Sequence, residues 1–250
     1  MRVFWTLLRR ELASFFLSFQ GYVIIAAMTL LVGLSFVVLV AGVGNDPFTE
    51  PVTEMFYSTF YFWLILLLGA PVITMRLFAH EKASGTFETL MTTPVGDLQV
   101  VAAKFTAALS FYMVSWLPLM GCLLVVRHFT SQTAALDPGT VGGVYLGILL
   151  LGAVFISLGC LASAMSQTQV MSAIISFVLG VSLFSLAYLA KSTPVNDHWQ
   201  TQAISTFNLF DQMHDFARGA VDSRAVVFSL STTFFFLFLN LRVLESRRWK

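Results

Sequence analysis

His80 and Glu81 are the first residues here whose types suggest chemistry, because a histidine beside a glutamate is half of the H-E-x-x-H zinc pattern. The second histidine is absent; Ser84 stands in its place. A second group, His198, Asp211, His214 and Asp215, could also be drawn around a metal, since Asp211 and His214 fall on one helix face. Solvated polar residues on an amphipathic helix account for that group more simply. No G-x-S-x-G occurs, and the serines of the apolar runs have no intramembrane histidine or lysine to activate them. None of Lys82, Lys104, Lys191 and Lys250 follows a glycine, so there is no phosphate-cradling G-x-x-x-x-G-K-[ST] loop. Cys122 and Cys160 lie inside apolar runs and read as buried thiols rather than a disulfide or metal pair. The methionines are scattered and read as packing. What remains is His80–Pro94, HEKASGTFETLMTTP, an island of charge and turn residues between two long apolar runs.

The elements around that island are membrane spans. Hydrophobic residues make up 57% of the chain, charged ones 11%, and mean hydropathy is +0.82. A charge at the bilayer centre costs at least about 2.5 kcal/mol, so the island must face water. The formal net charge of +1 implies no attraction to nucleic acid. Runs of about 20 apolar residues recur. They predict six spans at Tyr22–Val43, Tyr57–Phe78, Val100–Val126, Val141–Met165, Val170–Ala190 and Ala225–Leu241. The first of these lacks a signal-peptide cleavage pattern. Pro71 and Pro118 should kink the second and third spans. Small residues four apart, at Gly143/Gly147, Gly159/Ser163 and Ser172/Ser176/Gly180, predict close helix packing by the fourth and fifth.

Residues 1–20 are too polar to span. Phe4, Trp5, Leu8, Leu12, Phe15, Phe16 and Phe19 recur at helical steps, with Arg2, Thr6, Arg9, Arg10 and Gln20 largely opposite. That pattern predicts an amphipathic helix in the headgroup region, or else a simple extension of the first span. With the N-terminus cytoplasmic, that side carries Arg2, Arg9, Arg10, Arg76, Lys82, Lys104, Arg242, Arg247, Arg248 and Lys250. The other side carries only Arg127, Lys191, Arg218 and Arg224. This satisfies the positive-inside rule and places both termini and the island in one compartment. Across the membrane, Asn45–Phe56 and Arg127–Thr140 are modest loops. Residues 191–224 form a longer segment, with Pro194 and Asn196 marking its turn. Ile204, Phe207, Phe210, Met213, Ala217 and Val221 follow at near-helical steps, predicting short helices that cap the bundle. Asp222 can cap the last span.

Within the island, Gly85 ends the continuation of the second span. Thr86 can then cap a short helix with Glu88 in its first turn. Phe87, Leu90 and Met91 share one face, Thr93-Pro94 ends the helix, and Gly96-Asp97 leads into the third span. On the residues alone, this apolar knob either meets a water-side partner or lies on the bilayer.

The pattern Glu81-Lys82-x-x-Gly85-Thr86-x-Glu88-x-Leu90-x-x-x-Pro94 resembles the first cytoplasmic loop of ABC type-2 permeases, the membrane subunits of exporter-like ATP-binding cassette transporters. Phe210-Asp211, Phe216-x-x-Gly219-x-x-Asp222, a Phe-rich last span and Leu244-Glu245-x-Arg247-Arg248-Trp249 are similar to the same family, most of all to permeases of gliding-motility and copper-enzyme-maturation systems.

The resemblance implies an all-α type-2 exporter domain over residues 1–250. Residues 1–20 would be a connecting helix, 80–97 a cytoplasmic coupling loop and 191–224 an exoplasmic cap. It implies that Glu81, Lys82, Gly85, Thr86, Phe87, Glu88 and Leu90 serve coupling to an ATPase. Phe207, Phe210, Asp211, Phe216 and Gly219 would belong to an outer gate. ATP and magnesium would be held by a separate ABC ATP-binding subunit, so this chain would carry no cofactor and no catalysis. A second permease copy or a paralogue would complete the transporter in the bacterial inner membrane, with an envelope accessory protein as a further partner. The competing reading is an ATP-independent channel or scaffold.

Overall fold

The computed structural model describes residues 2–43, 52–86, 96–129, 138–192 and 207–248. In chain order the helices are α1 (Arg2–Phe16), α2 (Phe19–Val43), α3 (Val52–Ser58), α4 (Phe60–Thr74), α5 (Ala79–Ala83) and α6 (Asp97–Ser115). They continue with α7 (Leu117–Phe129), α8 (Pro138–Met165), α9 (Gln169–Ser192), α10 (Leu209–Ala217) and α11 (Ser223–Arg248). Among the described residues there is no strand. Six stretches of the described residues are long and apolar enough to cross a bilayer: Phe19–Gly42, Phe60–Ala83, Asp97–His128, Pro138–Met165, Gln169–Ser192 and Ser223–Ser246. The protein is therefore an all-α, multi-pass membrane protein, and six spans bring both termini to one end.

The fourth span, α8, is the axis of the bundle. In its most apolar window 83% of residues are buried, against 17% for the last span. Glycine explains how neighbours come so close. A Cβ on Gly143 would lie 2.2 Å from the Phe216 carbonyl oxygen, and one on Gly152 would lie 2.2 Å from the Tyr112 ring. One on Gly159 would lie 2.2 Å from the Thr74 hydroxyl. The predicted small-residue faces are thus packing faces. Ser172 and Ser176 on α9 are buried too, although most of α9 faces outward.

Both prolines interrupt their spans, as expected. Pro71 lies in α4, which stops at Thr74; the chain turns and resumes as α5. The amides freed there, Phe78 N and Ala79 N, donate to Ser163 Oγ at 3.0 and 3.1 Å. The third span breaks at Trp116, just before Pro118, and the Trp116 carbonyl accepts from the Tyr145 hydroxyl at 3.2 Å. Beyond the break the two halves diverge: α6 rests on α8, whereas α7 leans against α2.

The expected second span is shifted. Tyr57 belongs to α3, a separate helix, because Thr59 is extended (φ −69, ψ 144) and its hydroxyl donates to the Phe56 carbonyl. The supposed modest loop before the second span therefore contains a helix. At the other end the same span runs on to Ala83. The last helix likewise continues past Leu241 to Arg248.

Helix α1 lies along α6, with Phe15 stacked on Phe111 at 4.9 Å and Phe16 edge-on at 5.3 Å. Its buried face is not quite the one expected: Trp5 is 66% exposed, while Glu11 is buried beside Leu8 and Phe15. An ion pair accounts for that rotation.

Candidate functional site

Four charged side chains close a ring at the end that carries both termini. Arg10 on α1 meets Glu11 at 2.9 Å and Glu81 at 3.2 Å. Lys104 on α6 meets the same two carboxylates at 3.1 and 2.9 Å. Signs alternate around the ring, so it is neutral. The Lys104 side chain is only 3% exposed, and the Phe78 ring lies 5.4 Å from its ammonium. The hydrogen bond that Arg10 donates to Glu11 holds its guanidinium above its ordinary pKa, so it stays charged. The ring joins α1, the end of the second span and the start of the third. A cavity of about 230 Å³ beside it is lined also by Ser14, Arg76, Leu77 and His80. The second Glu81 oxygen, Oε2, is buried and has no hydrogen-bond partner among the described residues.

The root of the island is fastened to the fourth span as well. The Lys82 ammonium donates to the Ala164 carbonyl, and to that of Ser166 at 3.3 Å. Those groups end α8, where outward carbonyls and the helix dipole favour a cation. His80 Nδ1 and Gln169 Nε2 are 2.8 Å apart, tying α5 to α9. Gly85 then closes α5 at φ +72, a left-handed conformation that costs other residues about 1–2 kcal/mol. The Thr86 hydroxyl donates back to the Glu81 carbonyl at 3.3 Å and pairs with Ser84 Oγ at 2.9 Å. Phe87, Glu88, Leu90, Met91, Thr93 and Pro94 lie outside the described residues. Gly96 is the N-cap of α6 and Asp97 stands in its first turn, as expected.

At the opposite end α10 caps the bundle. Asn208 starts it, accepting from Asp211 N at 3.3 Å while its amide donates to Asp211 Oδ2 at 2.5 Å. Leu209, Met213, Phe216 and Ala217 form the buried face, on the Gly143 and Gly147 stretch of α8. Phe210 packs on Trp63 at 4.4 Å and Phe184 at 5.4 Å, beneath the Lys191 ammonium at 5.1 Å. Phe207 meets Phe228 of the last span edge-on at 5.2 Å. Gly219, at φ +80, lies close against the backbone of Gly139 and Thr140. Asp222 Oδ1 accepts from Arg224 N at 2.8 Å, capping α11 as expected.

The cap is locked to α3 by residues the sequence did not single out for this role. Glu54, buried, takes two bonds from Arg218: Nε to Oε2 at 3.1 Å and the terminal nitrogen to Oε1 at 2.9 Å. His214 Nδ1 lies 3.2 Å from Glu54 and also meets the Tyr57 hydroxyl. Thr53 donates to the Ala217 carbonyl at 3.1 Å. So His214 belongs to this lock, and the described residues hold no cluster of three metal-ligating side chains. Pro194, Asn196, His198 and Ile204 lie outside them.

Sequence reasoning also passed over Glu11 and Lys104. Their signal was present: Glu11 sits three residues past Leu8 and four before Phe15 on an otherwise apolar stripe. Lys104 stands one turn into an apolar run. Each alone reads as an ordinary charge near the surface. Only the fold sets them face to face.

Comparison with known proteins comes to the same place. The family model described as "ABC-2 family transporter protein" matches residues 20–183, which take in the first four spans, more than half of the fifth and the island but not α1, the cap or the last span. The bacitracin transport permease protein BCRB of Bacillus licheniformis is 27% identical over 113 residues, covering 41% of this chain and 54% of that protein. The chain thus matches about half the length of that curated relative.

Proposed function

This chain belongs to the ABC-2 transporter family, and from that premise we propose that it is the membrane subunit through which an ABC transporter turns ATP hydrolysis by a separate subunit into export of a substrate across, or mechanical work at, the bacterial inner membrane. The observation that carries this reading is the ring of Arg10, Glu11, Glu81 and Lys104 at the root of the island. A partner that pushes on the segment after Gly85 displaces α5. Glu81 passes that displacement to α1 and the third span, and Lys82 passes it to the fourth. Glu81 and Lys82 then act as the inward anchors of the coupling loop. Gly85 and Thr86 set the turn, and Phe87, Glu88 and Leu90 make the outward contact, apolar anchors in a groove of the ATPase.

The positive-inside rule puts the ring and both termini in the cytoplasm and the cap outside. ATP and magnesium stay with the partner, and a second copy or a paralogue supplies the other half of the path. At the outer side Phe207, Phe210, Asp211, Phe216 and Gly219 position a gate helix, held shut by the Glu54–Arg218 lock. Replacing Gly85, Thr86 and Phe87 together by aspartate tests the assignment by co-purification with the ATPase. The partner should be lost while the permease still inserts and folds. Retention of the ATPase at wild-type yield sinks the coupling assignment and returns the channel or scaffold reading.

A further inference from the structure

The break at Trp116 leaves a cleft that none of these roles uses. Because α7 leans toward α2, it parts from α8, and a cavity of about 490 Å³ opens between them. That volume lies within the roughly 300–1,000 Å³ usual for small-molecule sites. Met120, Leu123 and Leu124 form one wall, and Pro138, Val141 and Tyr145 the other. The Tyr145 hydroxyl is already engaged with the Trp116 carbonyl, so the interior offers a ligand almost nothing but hydrocarbon. Leu124 is 56% and Met120 39% exposed, so the cleft is open along its length.

Its one charge lies at the end. Arg127, in the last turn of α7, lines the cleft and makes no hydrogen bond or ion pair with any described residue. Arg10, Arg218 and Arg242, by contrast, each face a carboxylate. From Met120 to Arg127 the helix rises about 10 Å, at 1.5 Å per residue. The apolar walls therefore occupy the leaflet farther from the termini, with Arg127 at headgroup depth, where arginine meets phosphate in a fixed fork geometry.

We propose that this cleft holds one anionic phospholipid of that leaflet, an acyl chain between α7 and α8 and the phosphate-bearing headgroup on Arg127. The inference rests on the chain spanning a bilayer and does not depend on the coupling reading. Gly142 offers a way to fill the site without disturbing the fold, since it lines the cleft and an added Cβ would meet nothing within 4 Å.

The test is native mass spectrometry of the full chain, stripped of lipid in maltoside detergent and titrated with phosphatidylglycerol or phosphatidylcholine. The wild type should take up one phosphatidylglycerol about ten-fold more tightly than phosphatidylcholine, a difference of about 1.4 kcal/mol. R127Q should abolish that preference, and G142F should lose the tight lipid of either kind while keeping wild-type helical content. Equal uptake of the two lipids by the wild type overturns the proposal, as does unchanged uptake by G142F. A shift in subunit number without a change in lipid count also overturns it, by assigning the cleft to a second copy. Should G142F not fold, the R127Q comparison decides alone.

Discussion

Lys104 Nζ and Glu81 Oε1 stand 2.9 Å apart, joining the start of the third span to a residue just past the break in the second. The lysine side chain is 3% exposed and supplies the buried counter-charge of both carboxylates it meets, which without it keep only the exposed Arg10. Removing one partner of a buried ion pair costs about 3–5 kcal/mol, because the other charge is left in a poor solvent. Lys104→Met should therefore lower the unfolding midpoint of the purified protein markedly. Lys104→Met combined with Glu11→Leu should recover part of the loss. A midpoint for the single variant equal to wild type contradicts the ring.

The lock at the end away from the termini has a different signature. Glu54 is buried, while the Arg218 side chain is 55% exposed, so the effect should stay local. Arg218→Ala should raise amide exchange through Leu209–Ala217 by roughly ten- to a hundred-fold and leave α8 unchanged, reflecting a lost charged hydrogen bond of about 1.5–3 kcal/mol. Arg218→Lys should fall between, since an ammonium cannot reproduce the two-pronged contact. Equal exchange in all three proteins refutes the lock.

How much of this was legible in the sequence differs by element. The spans were, because each is an apolar run of bilayer length. The breaks at Pro71 and Pro118 and the packing at Gly143, Gly147 and Gly159 also follow from local chemistry. Neither ion-pair cluster was. Lys104 and Glu11 are 93 residues apart, and Arg218 and Glu54 are 164 apart. A charge near a span end looks solvated until tertiary structure supplies its partner. The α3 helix was missed for a different reason: only two polar residues, Ser58 and Thr59, part Tyr57 from the apolar run that begins at Phe60, and the extended backbone at Thr59 separates the two helices.

Gly143 tests whether the cap depends on close approach. A Cβ there falls 2.2 Å from a backbone oxygen of α10, which cannot swing aside as a long side chain could. Gly143→Leu should dislodge the cap, costing about 1–3 kcal/mol as other overpacked sites do. Protease should then cut within Leu209–Ala217, and insertion of the spans should remain normal. Wild-type protease resistance counts against the docking of α10 on α8.

Glu81 separates a joint from a contact. Were its carboxylate aimed at the ATPase, Glu81→Gln would weaken partner binding and leave the isolated permease unaffected. Instead Oε1 is held by Arg10 and Lys104, and the side chain is only 17% exposed. On the proposed coupling role, the uncharged variant should unfold more easily on its own, still retain the ATPase, and lose ATP-driven work. A double-mutant cycle with Arg10→Gln should show a coupling of about 0.5–3 kcal/mol in the permease alone, as for residues sharing one network. Additive effects on stability, together with a loss of partner binding, would move Glu81 from the joint to the contact surface and leave Lys82 as the loop's remaining inward anchor.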